Sequence, residues 1–447
     1  MPDRPTFFIL LAKNQRQRYT IENKTIYSAM RDFYHFLRAW AGAIVHGDPS
    51  RKIYVIGVTG TKGKTTTLEL LNAILEAAGK KTALLSSLRV KIGGDSTKNT
   101  LGNSMPGRGR LQKFLKDAVA AGCRYALIEA TSQGAVQSRH RFIAWNAAVW
   151  TNLAPEHIES HGSFEKYRAA KLGFLRYAAR CGAKIFLNAS DPNFGFMHDA
   201  LAGFRPVAFA AEDEEMSRIM PGITPARAAG DIVPPPFLLS GFNRENIAAA
   251  VAVARGIGIG EKPIEDALRH FKGVPGRMEF VQWQPFAAII DYAHTPDSLE
   301  LAYRAARQEM RNGEGGRLIA VLGAAGGGRD KWKRPEMGRV AAEYCDKIIL
   351  TDEDPYDEDP EGIIEEIVSG FPRGVGGEYH MVHAEVVLDR HQAIKRALSL
   401  ALPGDVVVMT GKGSEDCIHV AKGKKIPWDE RTAAEKILAE AKGVVAA

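Results

Sequence analysis

Val55-Ile56-Gly57-Val58-Thr59-Gly60-Thr61-Lys62-Gly63-Lys64-Thr65-Thr66-Thr67 is an apolar strand running into a glycine-rich turn, with a helix expected next over Leu68–Ala78. A turn of this kind aims unpaired backbone N–H groups and a helix N-terminus at one point, which suits a phosphate; Lys64 adds a point charge and Thr65 a magnesium ligand. The spacing departs from the generic phosphate loop, because Val58 stands where that loop has its first glycine. An ordinary βα turn is the competing reading. Gly63-Lys64-Thr65-Thr66 directly after an apolar strand argues against it.

The rest of the 447 residues sets bounds on class. At roughly 150 residues per domain the length predicts about three domains. An apolar content of 45% with 25% charged residues is that of an ordinary globular chain. No apolar stretch approaches the roughly 20 residues of a membrane span. Phe7-Phe8-Ile9-Leu10-Leu11 is too short for a signal-peptide core and reads as a strand, so a cytoplasmic protein is expected. Cys123, Cys181, Cys345 and Cys417 lie far apart with no Cys-x-x-Cys pair, which argues against a zinc ribbon and gives no disulfide framework. The net charge of +7 suits a protein that handles anions. No aromatic-interleaved basic stripe or reader motif accompanies it, so nucleic acid is not an expected partner.

Residues 1–50 read as a short helical appendage, with Ile26, Met30, Phe33, Phe36, Leu37, Trp40 and Ile44 at helical spacing. Packing of that stripe on the next domain is the expected use, with membrane-surface docking or self-association as alternatives. Over 51–273, apolar runs (52–58, 125–129, 147–151 and 184–187) alternate with helical stretches (110–121 and 164–179), as in a doubly wound α/β domain. Residues 204–240 are proline-rich and irregular, and a helix follows at 245–256. Gly273-Val274-Pro275-Gly276 is a plausible hinge, after which 274–447 repeats the α/β pattern with strands at 287–291, 317–322, 347–351 and 405–409. The fold class expected is therefore α/β: a central phosphate-loop ATPase domain, a C-terminal Rossmann-like domain and the N-terminal appendage.

Two further features carry chemistry by themselves. Glu129 ends the run Tyr125-Ala126-Leu127-Ile128, where it could share a magnesium ion with Thr65 or simply cap the strand. His157 follows another strand end, as a metal ligand or as a solvated loop histidine.

The phosphate loop resembles the Gly-Thr-x-Gly-Lys-Thr-Thr of the Mur ligases, ATP-dependent amino-acid ligases of cell-wall precursor synthesis. Thr151-Asn152-Leu153-Ala154-Pro155-Glu156-His157, His161-Gly162 and Tyr167 to Ala170-Lys171 are similar to that family's next motifs, with Glu156 in place of Asp. Gly241-Phe242-Asn243-Arg244-Glu245-Asn246, Gly276-Arg277-Met278-Glu279 and Asp291-Tyr292-Ala293-His294-Thr295-Pro296-Asp297-Ser298-Leu299-Glu300 follow in the family's order. The last is closest to members that add the third peptide residue. Gly326 to Pro335, with Arg329 and Asp330, the run 351–360, Gly411-Lys412-Gly413-Ser414-Glu415 and Trp428-Asp429-Glu430-Arg431 extend the likeness over roughly 52–447.

The resemblance implies an ADP-forming ligase that activates a carboxylate as an acyl phosphate, which an amine then displaces. It assigns the catalytic set Lys64, Glu129, His157, Lys171 and Arg277. ATP would meet Gly60, Thr61, Lys62, Gly63, Lys64, Thr65, Thr66, Asn246, Arg277 and Asp291. Magnesium would meet Thr65, Glu129, His157 and Lys171, the lysine being carbamylated into a carboxylate-like ligand. The acceptor and the incoming amino acid would meet Asn103, Ser104, Ser132, Gln137, Arg139, His294, Arg329, Glu353, Asp354, Tyr356, Lys412 and Glu415. ATP, the amino acid and a muramyl-peptide precursor are the partners implied, for a monomer or weak dimer.

This chain departs from the family pattern in three places. Only about 50 residues precede the loop, and the family's UDP-cradling motif is not found in them. Asn-Thr-Thr-Pro becomes Asn103-Ser104-Met105-Pro106 and Ser-Ser-His becomes Thr131-Ser132-Gln133, although Gln137 and Arg139 keep Gln-x-Arg. The Asp-Asn-Pro-Arg of ligases adding meso-diaminopimelate becomes Glu353-Asp354-Pro355-Tyr356, flanked by Asp352 and Asp357. Losing the arginine while gaining acid favours an amino acid whose tail ends in an ammonium, such as lysine or ornithine. The alternative for that run is a solvated loop. Other readings are a related ligase with a pseudomurein or polyamino-acid acceptor, an amidotransferase subunit (whose cysteine cluster is missing here) and a non-enzymatic scaffold. A folylpolyglutamate ligase is disfavoured by Gly63-Lys64-Thr65-Thr66, where Gly-Lys-Gly-Ser is usual.

Overall fold

The structure, a computed structural model, describes residues 30–100, 103–107, 109–156, 158–212, 241–310, 315–328, 330–373 and 384–445. The proposed strand at Phe7–Leu11, His157, Arg329 and most of the proline-rich segment lie outside the described residues. Two compact units emerge. One comprises 30–154, 165–210 and 249–263 of the described chain, and the other 155–164, 211–212, 241–248 and 264–445.

The first unit is built on an eight-stranded sheet of order β4-β3-β2-β5-β1-β6-β7-β8. Its strands are β1 (Tyr54–Thr59), β2 (Thr82–Leu85), β3 (Arg89–Ile92), β4 (Asp95–Lys98), β5 (Tyr125–Glu129), β6 (Trp145–Trp150), β7 (Lys184–Asn188) and β8 (Val207–Phe209). Strand β1 lies centrally, parallel to β5 on one side and β6 on the other. Val55, Ile56, Val58, Leu127, Ala148 and Val149 are wholly buried there. Burial on both faces is why these strands read as continuous apolar runs. The edge pair β3–β4 is antiparallel, and its outer strand is exposed throughout.

Helices α1 (30–45), α2 (Lys64–Ala77), α3 (Arg110–Ala120), α4 (Ser132–Val136) and α6 (Phe164–Arg180) belong to this unit, while α5 (Ile158–His161) belongs to the other. The phosphate-loop helix starts at Lys64 rather than Leu68, so Lys64 and Thr65 form its first turn. Gly57 sets the approach of α6 to the sheet: a Cβ there would lie 2.6 Å from Phe174 Cζ and 2.7 Å from Trp145 Cζ3.

The expected face of α1 is corrected by the structure. Met30, Phe33, Leu37, Trp40 and Ile44 are exposed, Phe33 by 62% and Trp40 by 48%. The helix packs instead through Gly42, whose added Cβ would stand 3.0 Å from Gly109 Cα, through buried Ala43, and through Phe36 edge-on to Phe142 at 5.1 Å. Backbone-to-backbone contact at a glycine wins over the wider apolar stripe because it places the axes closest.

The second unit carries a six-stranded sheet, β13-β12-β11-β14-β10-β9. Here β9 (Glu279–Gln282) is an antiparallel edge, while β10 (Ala287–Ile290), β11 (Leu318–Leu322), β12 (Lys347–Leu350), β13 (Ala384–Val386) and β14 (Val406–Met409) are parallel. A small hairpin follows, β15 (Cys417–Val420) with β16 (Lys424–Pro427). Glycines at 273 and 276 sit at φ 93° and 67°, and a Val274–Arg277 bridge closes the turn expected as a hinge. Among the described residues no helix is long and apolar enough to cross a membrane.

Candidate active site

The loop 60–63 leaves the C-terminal end of β1 between β5 and β6, the crevice where open α/β sheets hold ligands. Gly60 has no room for a side chain, since a Cβ would fall 1.9 Å from Thr151 Oγ1. Gly63 takes φ 80° as it caps α2. The end of β6 grips the loop: Thr151 Oγ1 donates to Lys62 O (2.6 Å), Lys62 N donates to Asn152 Oδ1 (2.8 Å), and Thr61 N donates to Asn152 O (3.0 Å). Thr151 and Asn152 thus hold the loop shape. Lys64 Nζ donates to Thr61 O at 2.8 Å, and Thr66 is buried in the first turn of α2.

Thr65 Oγ1 donates to Glu129 Oε2 at 3.0 Å and lies 2.9 Å from Ser87 Oγ; Ser87 N also donates to Glu129 Oε2 at 2.9 Å. Register explains this meeting, because Glu129 pairs with Val58 one residue before the end of β1. Two hydroxyls and a carboxylate make a hard oxygen donor set that fits Mg²⁺. The sequence reading missed Ser87. The signal was present, in a serine two residues beyond the short apolar strand β2 on the same sheet edge.

Tyr167, Lys171 and Phe174 share one face of α6, at i, i+4 and i+7. Phe174 is locked edge-on to Trp145 at 5.1 Å, and this delivers Lys171 to the loop. Lys171 is 2% exposed; its Nζ donates to Gly60 O at 2.6 Å and lies 4.5 Å from the Tyr167 ring centroid. Tyr167 OH donates to Thr61 Oγ1 at 3.0 Å. The structure therefore gathers Gly60 to Thr66, Glu129 and Lys171 around one turn.

A second group forms in the same unit among Asn103, Met105, Gln137 and Arg139. Arg139 donates to Met105 O and to Gln137 Oε1, while Asn103 Oδ1 accepts Met105 N at 2.9 Å. Ser104 is half-buried, and Ser132 is buried in the first turn of α4, capped by Thr131.

In the other unit, Arg277 lies 4.1 Å from the Tyr292 ring centroid. Tyr292 OH donates to Glu415 Oε1 at 3.1 Å, and burial pushes the phenol well above its usual range. Lys412 Nζ donates to Glu415 Oε2 (2.6 Å) and Asp354 Oδ1 (2.9 Å). Burial pulls Lys412 down, but the carboxylates of Glu415 and Asp354 outweigh it and hold it above its ordinary value. Asp291 accepts Met278 N and Ala293 N, thereby organising the turns on either side. His294 Nδ1 lies 2.7 Å from Tyr292 O, with Nε2 3.6 Å from Glu156. Asn246 Nδ2 donates to Asn243 Oδ1 in the helix Gly241–Gly256, which starts four residues earlier than expected.

The acidic run is largely engaged internally. Asp354 is paired with Lys412 and accepts His419 N at 2.7 Å. Asp357 accepts Lys422 N. Burial pushes Asp352 up to about 6 and raises Glu353, whose Oε2 has no hydrogen-bond partner among the described residues. Tyr356, at φ 53°, stacks on His419 with ring centroids 5.0 Å apart.

A phosphate loop on one α/β sheet, followed by a second parallel sheet, defines the class: a nucleotide-using enzyme of two α/β units. Residues 58–254 match the Mur ligase middle domain and 276–413 the Mur ligase glutamate ligase domain. The chain belongs to the Mur ligase family, and as such it is an ATP-dependent, ADP-forming acid–amino-acid ligase. It is 35% identical over 410 residues to a UDP-N-acetylmuramoyl-L-alanyl-D-glutamate–2,6-diaminopimelate ligase of Trichormus variabilis, covering 89% of this chain and 79% of that one. It is 37% identical over 426 residues to a UDP-N-acetylmuramyl-tripeptide synthetase of Roseiflexus, covering 89% and 81%. A solved 2,6-diaminopimelate ligase of the same name superposes with a TM-score of 0.55 at 25% identity, covering 87% of this chain and 79% of that one.

Proposed function

We propose that this ligase joins the free carboxylate of a UDP-N-acetylmuramoyl-dipeptide-like precursor to an amine of a diamino acid. The observation that carries the reading is the convergence of Lys64, Thr65, Glu129 and Lys171 on one loop in a chain of this family. Phosphoryl transfer between a carboxylate and ATP brings two anions together, so cationic groups fixed beforehand are the main source of rate. Lys64 supplies one such charge from the helix N-terminus. Thr65, Glu129 and Ser87 would hold the magnesium ion, which when bound would supply Lewis-acid stabilisation of the transferring phosphoryl group. His157 belongs to this set on the sequence evidence.

Lys171 is proposed to react with carbon dioxide as the free amine, forming an N–C bond and releasing a proton, which leaves a carbamate. The acceptor carboxylate attacks the γ-phosphorus, ADP leaves, and the amine then displaces phosphate from the acyl carbon. Asn103, Ser104, Ser132, Gln137 and Arg139 are assigned to the acceptor. Asn246, Arg277 and Asp291 are assigned to the nucleotide, and His294, Arg329, Glu353, Asp354, Tyr356, Lys412 and Glu415 to the amino acid. Residues 1–50, 51–273 and 274–447 are proposed as the functional divisions.

The amino acid is proposed to lack a distal carboxylate, as lysine and ornithine do. Tyr356 offers an aromatic ring where ligases of 2,6-diaminopimelate place an arginine, and Glu353 carries a buried carboxylate oxygen with no hydrogen-bond partner among the described residues. Release of ADP is measured with the muramyl-dipeptide acceptor and a panel of lysine, ornithine and meso-diaminopimelate. Lysine or ornithine should support turnover at least 10-fold faster than meso-diaminopimelate. Strict dependence on meso-diaminopimelate overturns the assignment.

A further inference from the structure

We infer that α1 completes a diphosphate-binding cavity in which His35 and Arg38 face Arg110, Arg139 and Arg141. The cavity holds about 320 Å³ and is walled by α1, the N-terminal turn of α3 and the segment 137–141. Its size falls at the lower end of small-molecule sites. Among the described residues four arginines line it, and no carboxylate does.

How each guanidinium is engaged bears on what the cavity takes. Arg139 spends its donors on the neutral oxygens of Met105 and Gln137, and burial pushes its pKa down. Arg38 bonds the Tyr34 hydroxyl, and Arg141 lies over the rings of Phe36 and Tyr177. Among the described residues none of the four pairs with a carboxylate. Burial, followed by the charges of Arg139 and Arg31, also pulls His35 below its ordinary value. Concentrated positive charge of this kind, held by aromatic stacking and neutral acceptors, is compensated by a polyanion. The planar fork of arginine matches phosphate oxygens two at a time. A single carboxylate would leave most of the charge uncompensated, whereas a diphosphate ester would not. The N-terminus of α3 adds backbone polarity of the same sign: Gly109 caps it without a side-chain bond, and its first turn carries no acid.

Two contacts fix α1 in this position, the Gly42–Gly109 approach and the Phe36–Phe142 pair. The helix therefore does part of the work of holding the acceptor's diphosphate. The acceptor's identity rests on the ligase reading; the anion site does not.

The test compares wild type with the Arg38→Ala/Arg110→Ala double variant, both positions being exposed. KM is measured for three acceptors: the UDP-linked muramyl dipeptide, a polyprenyl-diphosphate-linked one in detergent, and the dipeptide sugar without phosphate. In wild type a low KM for the UDP-linked or the lipid-linked acceptor identifies which diphosphate is used. In the variant the ratio of phosphate-free KM to diphosphate KM should fall at least 10-fold. An unchanged ratio overturns the inference. Titration with inorganic pyrophosphate, with a non-hydrolysable ATP analogue saturating the phosphate loop, reads the cavity without turnover. Affinity should drop at least 10-fold in the variant, and equal affinity overturns the inference. If no acceptor yields ADP, the ligase assignment fails while this titration still decides the cavity.

Discussion

Replacing Lys64 with alanine is expected to lower acceptor-dependent ADP formation by about 10²–10³-fold, the effect of removing one preorganised donor from a charge-developing site. The side chain makes a hydrogen bond to Thr61 O and contributes nothing to the apolar core, so the melting temperature should stay within about 2 °C of wild type. The expected signature is a fall in kcat with the protein still folded. If turnover survives within 3-fold, Lys64 does not face the transferring phosphate and the loop is a structural βα turn after all.

Lys171→Met is the second large effect. Methionine keeps the length and the apolar contact with Tyr167 but removes the nitrogen, leaving Gly60 O without its donor. Leaving that acceptor unsatisfied costs about 1–3 kcal/mol, so the variant should melt several degrees lower while remaining folded at 25 °C. ADP formation should fall by about 10²–10³-fold, while binding of an ATP analogue changes little. The carbamate reading adds a second measurement. Wild type stripped of dissolved carbon dioxide should lose activity and regain it with bicarbonate, whereas Lys171→Met should respond to neither. Full activity of the stripped wild type would leave Lys171 acting as an ammonium.

The loop and its immediate partners were legible because each announces itself locally. Gly60, Gly63, Lys64 and Thr65 fall within six consecutive residues, and Glu129 is the one charged residue of a buried strand, at its last position. Lys171 needed the family motif, since nothing in a helix sequence says that position 171 faces a turn more than 100 residues earlier. Its placement follows from packing, through Gly57, Trp145 and Phe174. The strand β4, Asp-Ser-Thr-Lys, carries no hydrophobic alternation because both faces are wet, so periodicity had nothing to detect. The early start of the helix Gly241–Gly256 was hidden by glycine and asparagine in its first turn.

The arginine cavity was out of reach for a different reason. Arg38, Arg110, Arg139 and Arg141 come from three separate segments, and it is the Gly42–Gly109 approach and the Phe36–Phe142 pair that bring α1 against the others. The apolar stripe of α1 pointed the reading to the opposite face. A helical stripe predicts burial of its own surface, and here the close approach at Gly42, with Phe36 against Phe142, sets the docking instead.

Isotope transfer tests the central chemistry most directly. An acceptor labelled with ¹⁸O in its free carboxylate is incubated with ATP, magnesium and the preferred amino acid, and the released phosphate is analysed by mass spectrometry. Attack of that carboxylate on the γ-phosphorus, followed by displacement at the acyl carbon, predicts one labelled oxygen in each phosphate formed. Phosphate released without label, at a yield matching amide formation, would contradict the acyl-phosphate route.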